Sequence, residues 1–380
     1  CDDRHRSAPR PAATHAVVYL PVSHLPDGLT RRGFISTVTA ALALPARVAT
    51  QTAGRETLYN GIVLPAPWPP ERRELDDEPH LPPYLLSPPS PINIDVGRQL
   101  FVDDFLIEES SLFRRFHAAT YHTGNPVLSP ERDWERQDPH SRLTGYPPNF
   151  AAMPFSDGVF YDPRDRVFKM WYMAGYQHYT ALAVSSDGVT WERPNLAVVP
   201  GTNILSTARR DSSTVWLDAD AAGAERFKMA SFDHAVSGLR LYQSPDGVRW
   251  SPAGVSGPCG DRSTFFRNGF RDVWVFSLRD EYKGLLRSRR YFETRAFSAA
   301  AWPRNGPPRW TAADRADRAR PEMPTIPREL YNLDAVAYES VMVGLFAVFR
   351  GEQSDREKPN DLCIGFSRDG FHWSRPTHDR

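Results

Sequence analysis

The chain has 380 residues, room for one large core or two domains, and its 46 basic and 46 acidic side chains leave no net charge. That balance offers no electrostatic footprint for nucleic acid or for an anionic membrane surface. Three cysteines, Cys1, Cys259 and Cys363, are odd in number and lack metal-ligand spacing, so neither a disulfide framework nor a zinc site is indicated.

In chain order, residues 1–28 are polar, rich in Pro and Arg and without periodicity, as expected of a disordered leader. Arg31-Arg32-Gly33-Phe34 and a modest apolar run over 38–48 follow, resembling a twin-arginine export signal. The run is broken by Pro45 and Arg47, so it does not read as a membrane span, and the mature protein is expected outside the cytoplasm, periplasmic or secreted. We therefore divide the chain into a leader over 1–54, a proline-crowded extended segment over 55–93 and a folded β domain over 94–380. A start without Met and an end seven residues past Trp373 fit a fragment of a longer reading frame.

Residues 97–108 read as a strand, a polar corner at Asp103-Asp104 and a second short strand, and residues 113–121 as another strand. From Gly158 onward the pattern is modular. Ser185-Ser186-Asp187-Gly188-Val189-Thr190-Trp191 returns as Ser244-Pro245-Asp246-Gly247-Val248-Arg249-Trp250 and as Ser367-Arg368-Asp369-Gly370-Phe371-His372-Trp373. The aspartates are 59 and then 123 residues apart, so one copy has decayed, near Phe297, Ser298 and Trp302. Each copy follows an alternating apolar run, Asp-Gly supplies a tight turn, and the Trp opens the return strand. Phe168-Lys169-Met170 and Phe227-Lys228-Met229 recur at matching offsets. Three strands, a turn and a Trp-bearing fourth strand make a propeller blade, so the expected fold is all-β, a five-bladed β-propeller. Four blades are visible, and the fifth is truncated or closed by the strands between Leu100 and Leu128, which would leave no bare sheet edge. The turn aspartates read as structural.

Chemistry is expected where the innermost strands line the channel. Each visible blade places a carboxylate at the head of that strand: Asp157, Asp211, Asp261 and Asp334, with Glu339 at the end of the fourth. Glycoside hydrolysis needs one carboxylic acid to protonate the leaving oxygen and one carboxylate to attack or to activate water. The plain alternative is that these acids cap backbone amides.

The 97–108 run, Asn125-Pro126-Val127-Leu128, Phe168-Lys169-Met170-Trp171-Tyr172 and the Asp-Gly repeats together resemble secreted bacterial proteins of the glycosyl hydrolase family 32 N-terminal domain-like group. That group is similar to the five-bladed propellers of glycoside hydrolase families 32, 43, 68 and 130. The resemblance implies a carbohydrate substrate, with Asp157 as base or nucleophile, Asp211 as orienting carboxylate, and Asp261 or Glu339 as acid. Arg262, Asp103, Asp104 and Asp334 stand as substrate-binding candidates. The invertase-type Trp-Met-Asn-Asp-Pro-Asn-Gly sequence and Glu-Cys pair are absent, so action on fructans is not supported. A sialidase would have one more residue between Asp and Trp in its repeat.

His122, His140, His178 and His234 lie near expected loops, and no phosphate loop, nucleophile elbow or His-Glu-x-x-His motif occurs. Two other classes stay open beside the hydrolase. One is a non-catalytic sugar-binding propeller, and the other is a phosphorylase, for which Arg262 beside Asp261 would supply the cation. No cofactor is indicated, a calcium ion in the channel stays an open question, and neither a nucleic-acid partner, a membrane span nor an oligomeric state is read from the sequence.

Overall fold

The computed structural model describes residues 55–71, 74–138, 149–321, 327–350 and 360–378. The twin-arginine stretch and His140 lie outside the described residues. Those described form an all-β structure of four antiparallel sheets with one short α-helical turn, α1 (Pro83–Leu86), and three 3-10 turns. No helix is long and apolar enough to cross a membrane among the described residues.

In the first blade, β1 (Ala152–Met153) and β2 (Val159–Asp162) both pair with β3 (Val167–Ala174), which pairs in turn with β4 (Tyr179–Ser185), and β4 with β5 (Ile204–Ser206). The innermost strand is thus broken between β1 and β2, and the break carries Phe155, Ser156 and Asp157. The second blade is β6 (Ser213–Leu217), β7 (Phe227–Asp233), β8 (Gly238–Ser244) and β9 (Ser251–Pro258). The third is β10 (Thr264–Asn268), β11 (Val273–Tyr282), β12 (Leu286–Thr294) and β13 (Arg309–Ala312). The fourth has three strands, β14 (Glu329–Tyr338), β15 (Val341–Phe349) and β16 (Asn360–Ser367), and a Phe366–Ser374 bridge beside Trp373.

Successive blades pack face to face, as in a propeller. Trp171 and Leu182 of the first meet Val215, Phe227 and Met229 of the second. Leu239 and Leu241 of the second meet Phe265, Trp274 and Phe276 of the third. Val273 and Tyr291 of the third meet Leu330, Met342 and Phe346 of the fourth. Burial of these large apolar and aromatic side chains is the main cohesive term between blades.

The repeated turn is built the same way three times. In the first copy, Asp187 Oδ1 accepts the backbone N–H groups of Val189 and Thr190, and Ser185 Oγ accepts that of Gly188. Asp246 with Ser244, and Asp369 with Ser367, repeat the arrangement. Of the Asp-Gly pair, the glycine alone takes positive φ, +77°, +76° and +79° in the three copies. Trp171 Nε1 donates to the Gly247 carbonyl at 2.8 Å, stitching the first blade to the second blade's turn. In the third blade the turn is lost and its packing kept. Phe297 opens a short 3-10 turn over 297–299 and is buried against Phe265 and Trp274, while Trp302 Nε1 donates to the Pro258 carbonyl.

The recurrent Phe-Lys-Met is explained by its lysine. Lys169 is buried and donates to Asp162 at 2.9 Å, and Lys228 donates to Asp218 at 3.1 Å. Each lysine ties the second strand of its blade to an acid at the end of the innermost strand. Burial would raise the Asp162 carboxyl, yet Arg226 and Lys169 hold it well below the usual carboxylate range.

Of the two alternatives for the fifth blade, closure by strands between Leu100 and Leu128 is corrected: that segment contains no strand. It packs as a strap. Phe105 joins Leu58, Ile62, Leu64 and Tyr84 in a small core of its own, and Asp103 grips Arg368 in the fourth blade's turn. Leu112 and Phe113 stand 85% and 99% exposed. Alternation alone does not make a strand, because strand propensity expresses packing against a paired neighbour and no sheet edge reaches this stretch. The Pro-rich segment runs along the same side, with Tyr59 Oη donating to the Ser340 carbonyl, Asn60 Nδ2 to the Arg368 carbonyl and Tyr84 Oη to the His372 carbonyl.

Candidate functional site

The register decides which residues share an end of the propeller. Asp162 pairs with Val167 and Phe168 with Ser185, so the β2–β3 hairpin and the Asp187 turn lie at one end. The heads of β2, β6 and β10 and the β3–β4 hairpin at 175–178 lie at the other, here called the mouth.

At the mouth the blades are joined by side chains. Arg210 donates to both oxygens of Asp157, at 2.6 and 3.0 Å, linking the first blade to the second. Asp211 and Arg262 link the second to the third, with Asp211 Oδ1 3.2 Å from Arg262 Nη2 and the Arg262 backbone N–H donating to Ser212 Oγ. Thr264 Oγ1 donates to Asn332 Oδ1, linking third to fourth. Asn332 Nδ2 donates to Ser156 Oγ at 2.9 Å and Ser156 Oγ to Asp334 Oδ2 at 3.1 Å, so the fourth blade returns to the first. Beneath this ring the fully buried Arg289 donates to the carbonyls of Arg262, Ser277 and Tyr331 and to Asn332 Oδ1. Burial lowers its guanidinium to about 10, with Asp334 pulling the other way.

The four inner-strand acids differ in how they are held. Asp157 is fully buried with both oxygens on Arg210. Burial raises its carboxyl against the pull of Arg210. Asp211 receives Gln177 Nε2 on Oδ2 at 3.0 Å, while its buried Oδ1 has no hydrogen bond, the contact to Arg262 being an ion pair without hydrogen-bond alignment. Asp334 receives Ser156 and Asn332 on Oδ2, and its buried Oδ1 has no hydrogen bond. Burial raises the Asp334 carboxyl. Asp261 is half-buried and ion-paired with Arg279.

Glu339 does not join them. It sits with positive φ in the β14–β15 hairpin at the far end, where it accepts the side chain and backbone N–H of Arg98, and those hydrogen bonds hold it below the usual carboxylate range. Asp103 and Asp104 are also remote from the mouth, on Arg368 and Arg114 respectively. His122 accepts the Gly124 N–H in the strap, and His234 packs on Phe232. His178 lies at the mouth on the Tyr179 ring, its pKa lowered by burial and by Arg209. Among the described residues the grouped ligand types are Asp314, Asp317 and His378, away from the mouth, and Arg375 already pairs with both carboxylates.

The sequence reading missed Arg210, Ser156, Asn332 and the aromatic pair Phe155 and Tyr331. A signal for Arg262 existed: Asp211-Ser212-Ser213-Thr214 aligns with Asp261-Arg262-Ser263-Thr264, so an arginine stands where the second blade has a serine. Of the others, Phe155, Ser156 and Arg210 stand in loops and Tyr331 and Asn332 on β14, with partners in other blades, 53 positions away for Arg210 and 178 for Ser156.

No family model and no curated protein matches the chain. Among solved structures it is similar to an N-acetylgalactosamine deacetylase from F. plautii in complex with blood group B trisaccharide, at 16% identity over 60% of this chain and 72% of that one, with a TM-score of 0.40. It is also similar to an endo-arabinase from Bacteroides thetaiotaomicron, at 8% identity over 58% and 78% with a TM-score of 0.39. A thermostable family-43 glycoside hydrolase gives 9% identity over 57% and 70% with a TM-score of 0.40. These values carry no argument about residues, and the propeller arrangement rests on the sheets described above.

Proposed function

We propose that the chain is a glycoside hydrolase acting on a poly- or oligosaccharide at the mouth, with Asp334 as general acid and Asp211 as the carboxylate that attacks or activates water. The observation that carries this reading is the shared state of the two acids. Each has one oxygen anchored by donors and the other held in place without a hydrogen bond. Anchoring fixes the geometry, and the free oxygen can exchange a proton or bond with a substrate. Burial raises the Asp334 carboxyl, the direction that favours the protonated form a general acid starts from. We therefore assign the role first given to Asp157 elsewhere, because Arg210 occupies both of its oxygens.

The test is turnover of an aryl- and oligosaccharide-glycoside panel. Asp334→Asn is expected to lower hydrolysis of unactivated glycosides by roughly 10²-fold or more, and far less for nitrophenyl glycosides, whose leaving group needs no proton. Asp211→Asn is expected to fail on both. Equal activity of wild type and both variants would overturn the roles. A second reading, sugar binding without turnover, is favoured by the arginine pairing of Asp157 and Asp261. It takes over if the wild type hydrolyses nothing in the panel and still binds a glycan array.

A further inference from the structure

Arg262 is the least satisfied of the mouth arginines. Its backbone N–H goes to Ser212, its carbonyl accepts from Arg289, and its Nη2 lies against Asp211. Its guanidinium carbon stands 4.2 Å from the Phe155 ring centroid and 5.8 Å from that of Tyr331, so two aromatic faces hold the group in place. The side chain is more than nine-tenths buried, yet Nη1 has no acceptor. Other buried arginines are different. Both terminal nitrogens of Arg210, Arg226 and Arg289 are placed on oxygens. A buried donor without an acceptor is costly to a fold and is what a ligand can satisfy. A further cation stands at the mouth. Arg209 is exposed one residue from Arg210, with Nη2 3.3 Å from Gln177 Oε1, and Gln177 in turn holds Asp211. The local backbone is also committed: Arg262 is held at φ +61° and Phe155 at φ +29°.

We propose that the Nη1 edge of Arg262 is an oxyanion subsite of the mouth, and that the glycan taken there carries a carboxylate, as a uronic acid does. A guanidinium edge fixed by flanking rings offers in-plane donors to a carboxylate oxygen, an arrangement in which arginine binds carboxylates and phosphates with directional, charge-assisted hydrogen bonds. The sugar ring behind that carboxylate would then lie over the Phe155 and Tyr331 rings with Asp211 alongside. That such a glycan is turned over rests on the hydrolase reading, whereas the anion site itself does not. Inorganic phosphate shares the chemistry, and it would come from solution and not from the glycan.

The experiment is calorimetric titration of the full chain with tri-galacturonate, with its methyl ester, and with inorganic phosphate. The acid is expected to bind at least 10-fold tighter than the ester, which keeps the shape and loses the charge. Arg262→Met should abolish that difference and Arg262→Lys should retain part of it, with circular dichroism showing that each variant is folded. The acid–ester comparison on wild type stands without any variant. Equal binding of acid and ester, or binding of neither, together with no Arg262-dependent phosphate binding, would overturn the subsite, as would an acid preference that survives Arg262→Met. Phosphate binding that needs Arg262, with no preference for the acid, would keep the subsite and assign its anion to free phosphate. Hydrolysis of neutral glycans with no acid preference sinks this inference and leaves the hydrolase reading standing. Arg262-dependent anion binding in a protein that hydrolyses nothing does the reverse.

Discussion

The sharpest consequence of the mouth geometry concerns Asp157 and Arg210. Arg210 places both terminal nitrogens on the two Asp157 oxygens at 2.6 and 3.0 Å, with side chains 2% and 0% exposed. Asp157→Asn keeps the shape and removes the charge, leaving the guanidinium buried without its counter-ion. Breaking such a pair from one side costs about 3–5 kcal/mol. Arg210→Met should cost about the same, because it leaves a buried carboxylate. The double variant should recover much of the loss, since two charges leave the interior together. Urea unfolding of the four proteins at neutral pH measures the cycle, with the midpoint shift converted at a common slope. A reacting carboxylate gives a different pattern: Asp157→Asn would hold wild-type stability and lose turnover. Unchanged stability in the single variants, or a double variant as weak as the two losses summed, would refute the reading of this pair as a buried staple between the first two blades.

Two further outcomes follow from the repeated turn. Gly247→Ala should destabilise far more than Gly201→Ala in chemical denaturation. Both glycines hold φ near +78°, +76° and +79° respectively, and each substitution costs about 1–2 kcal/mol for the left-handed backbone. Only at Gly247 would the new methyl carbon also meet Trp171 at 2.6 Å, whereas nothing lies within 4 Å of it at Gly201. The turn should also contribute to acid sensitivity. Hydrogen bonds from the Thr190 and Val189 N–H groups lower Asp187 from 3.8 to about 2. A depressed carboxyl stabilises the fold above its unfolded pKa, and that contribution is lost as pH falls from about 4 to about 2. Asp187→Asn should therefore flatten part of the acid limb of a stability–pH curve in that window. An unchanged limb would show that those hydrogen bonds do not favour the charged form.

Local chemistry made the blades legible. A Ser-x-Asp-Gly-x-x-Trp unit encodes its own turn, because the serine and aspartate reach backbone N–H groups two and three residues away, and the glycine takes the positive φ that the bend needs. The apolar runs before each turn encode strands, and the Phe-Lys-Met repeats mark where a buried lysine ties one strand to the next. The decayed third copy was also readable, since Phe297 and Trp302 kept their apolar roles after the turn residues were lost.

What the tertiary structure alone decided is the state of each acid and the fate of the strap. Asp157, Asp211, Asp261 and Asp334 read alike in sequence, each as an acid at the head of an innermost strand, although β14 begins at Glu329 and so places Asp334 in mid-strand. Their partners come from other blades: Arg210 for Asp157, Ser156 for Asp334, and Arg262 facing Asp211. Whether a carboxylate is clamped or left with a free oxygen depends on side chains far away in sequence, which no local pattern encodes. Residues 97–128 have strand-like alternation and form no ladder, because a strand exists only where an edge is available to pair with it. Glu339 likewise read as the end of an inner strand, and the hairpin that ends β14 turned it to the far side of the propeller, onto Arg98.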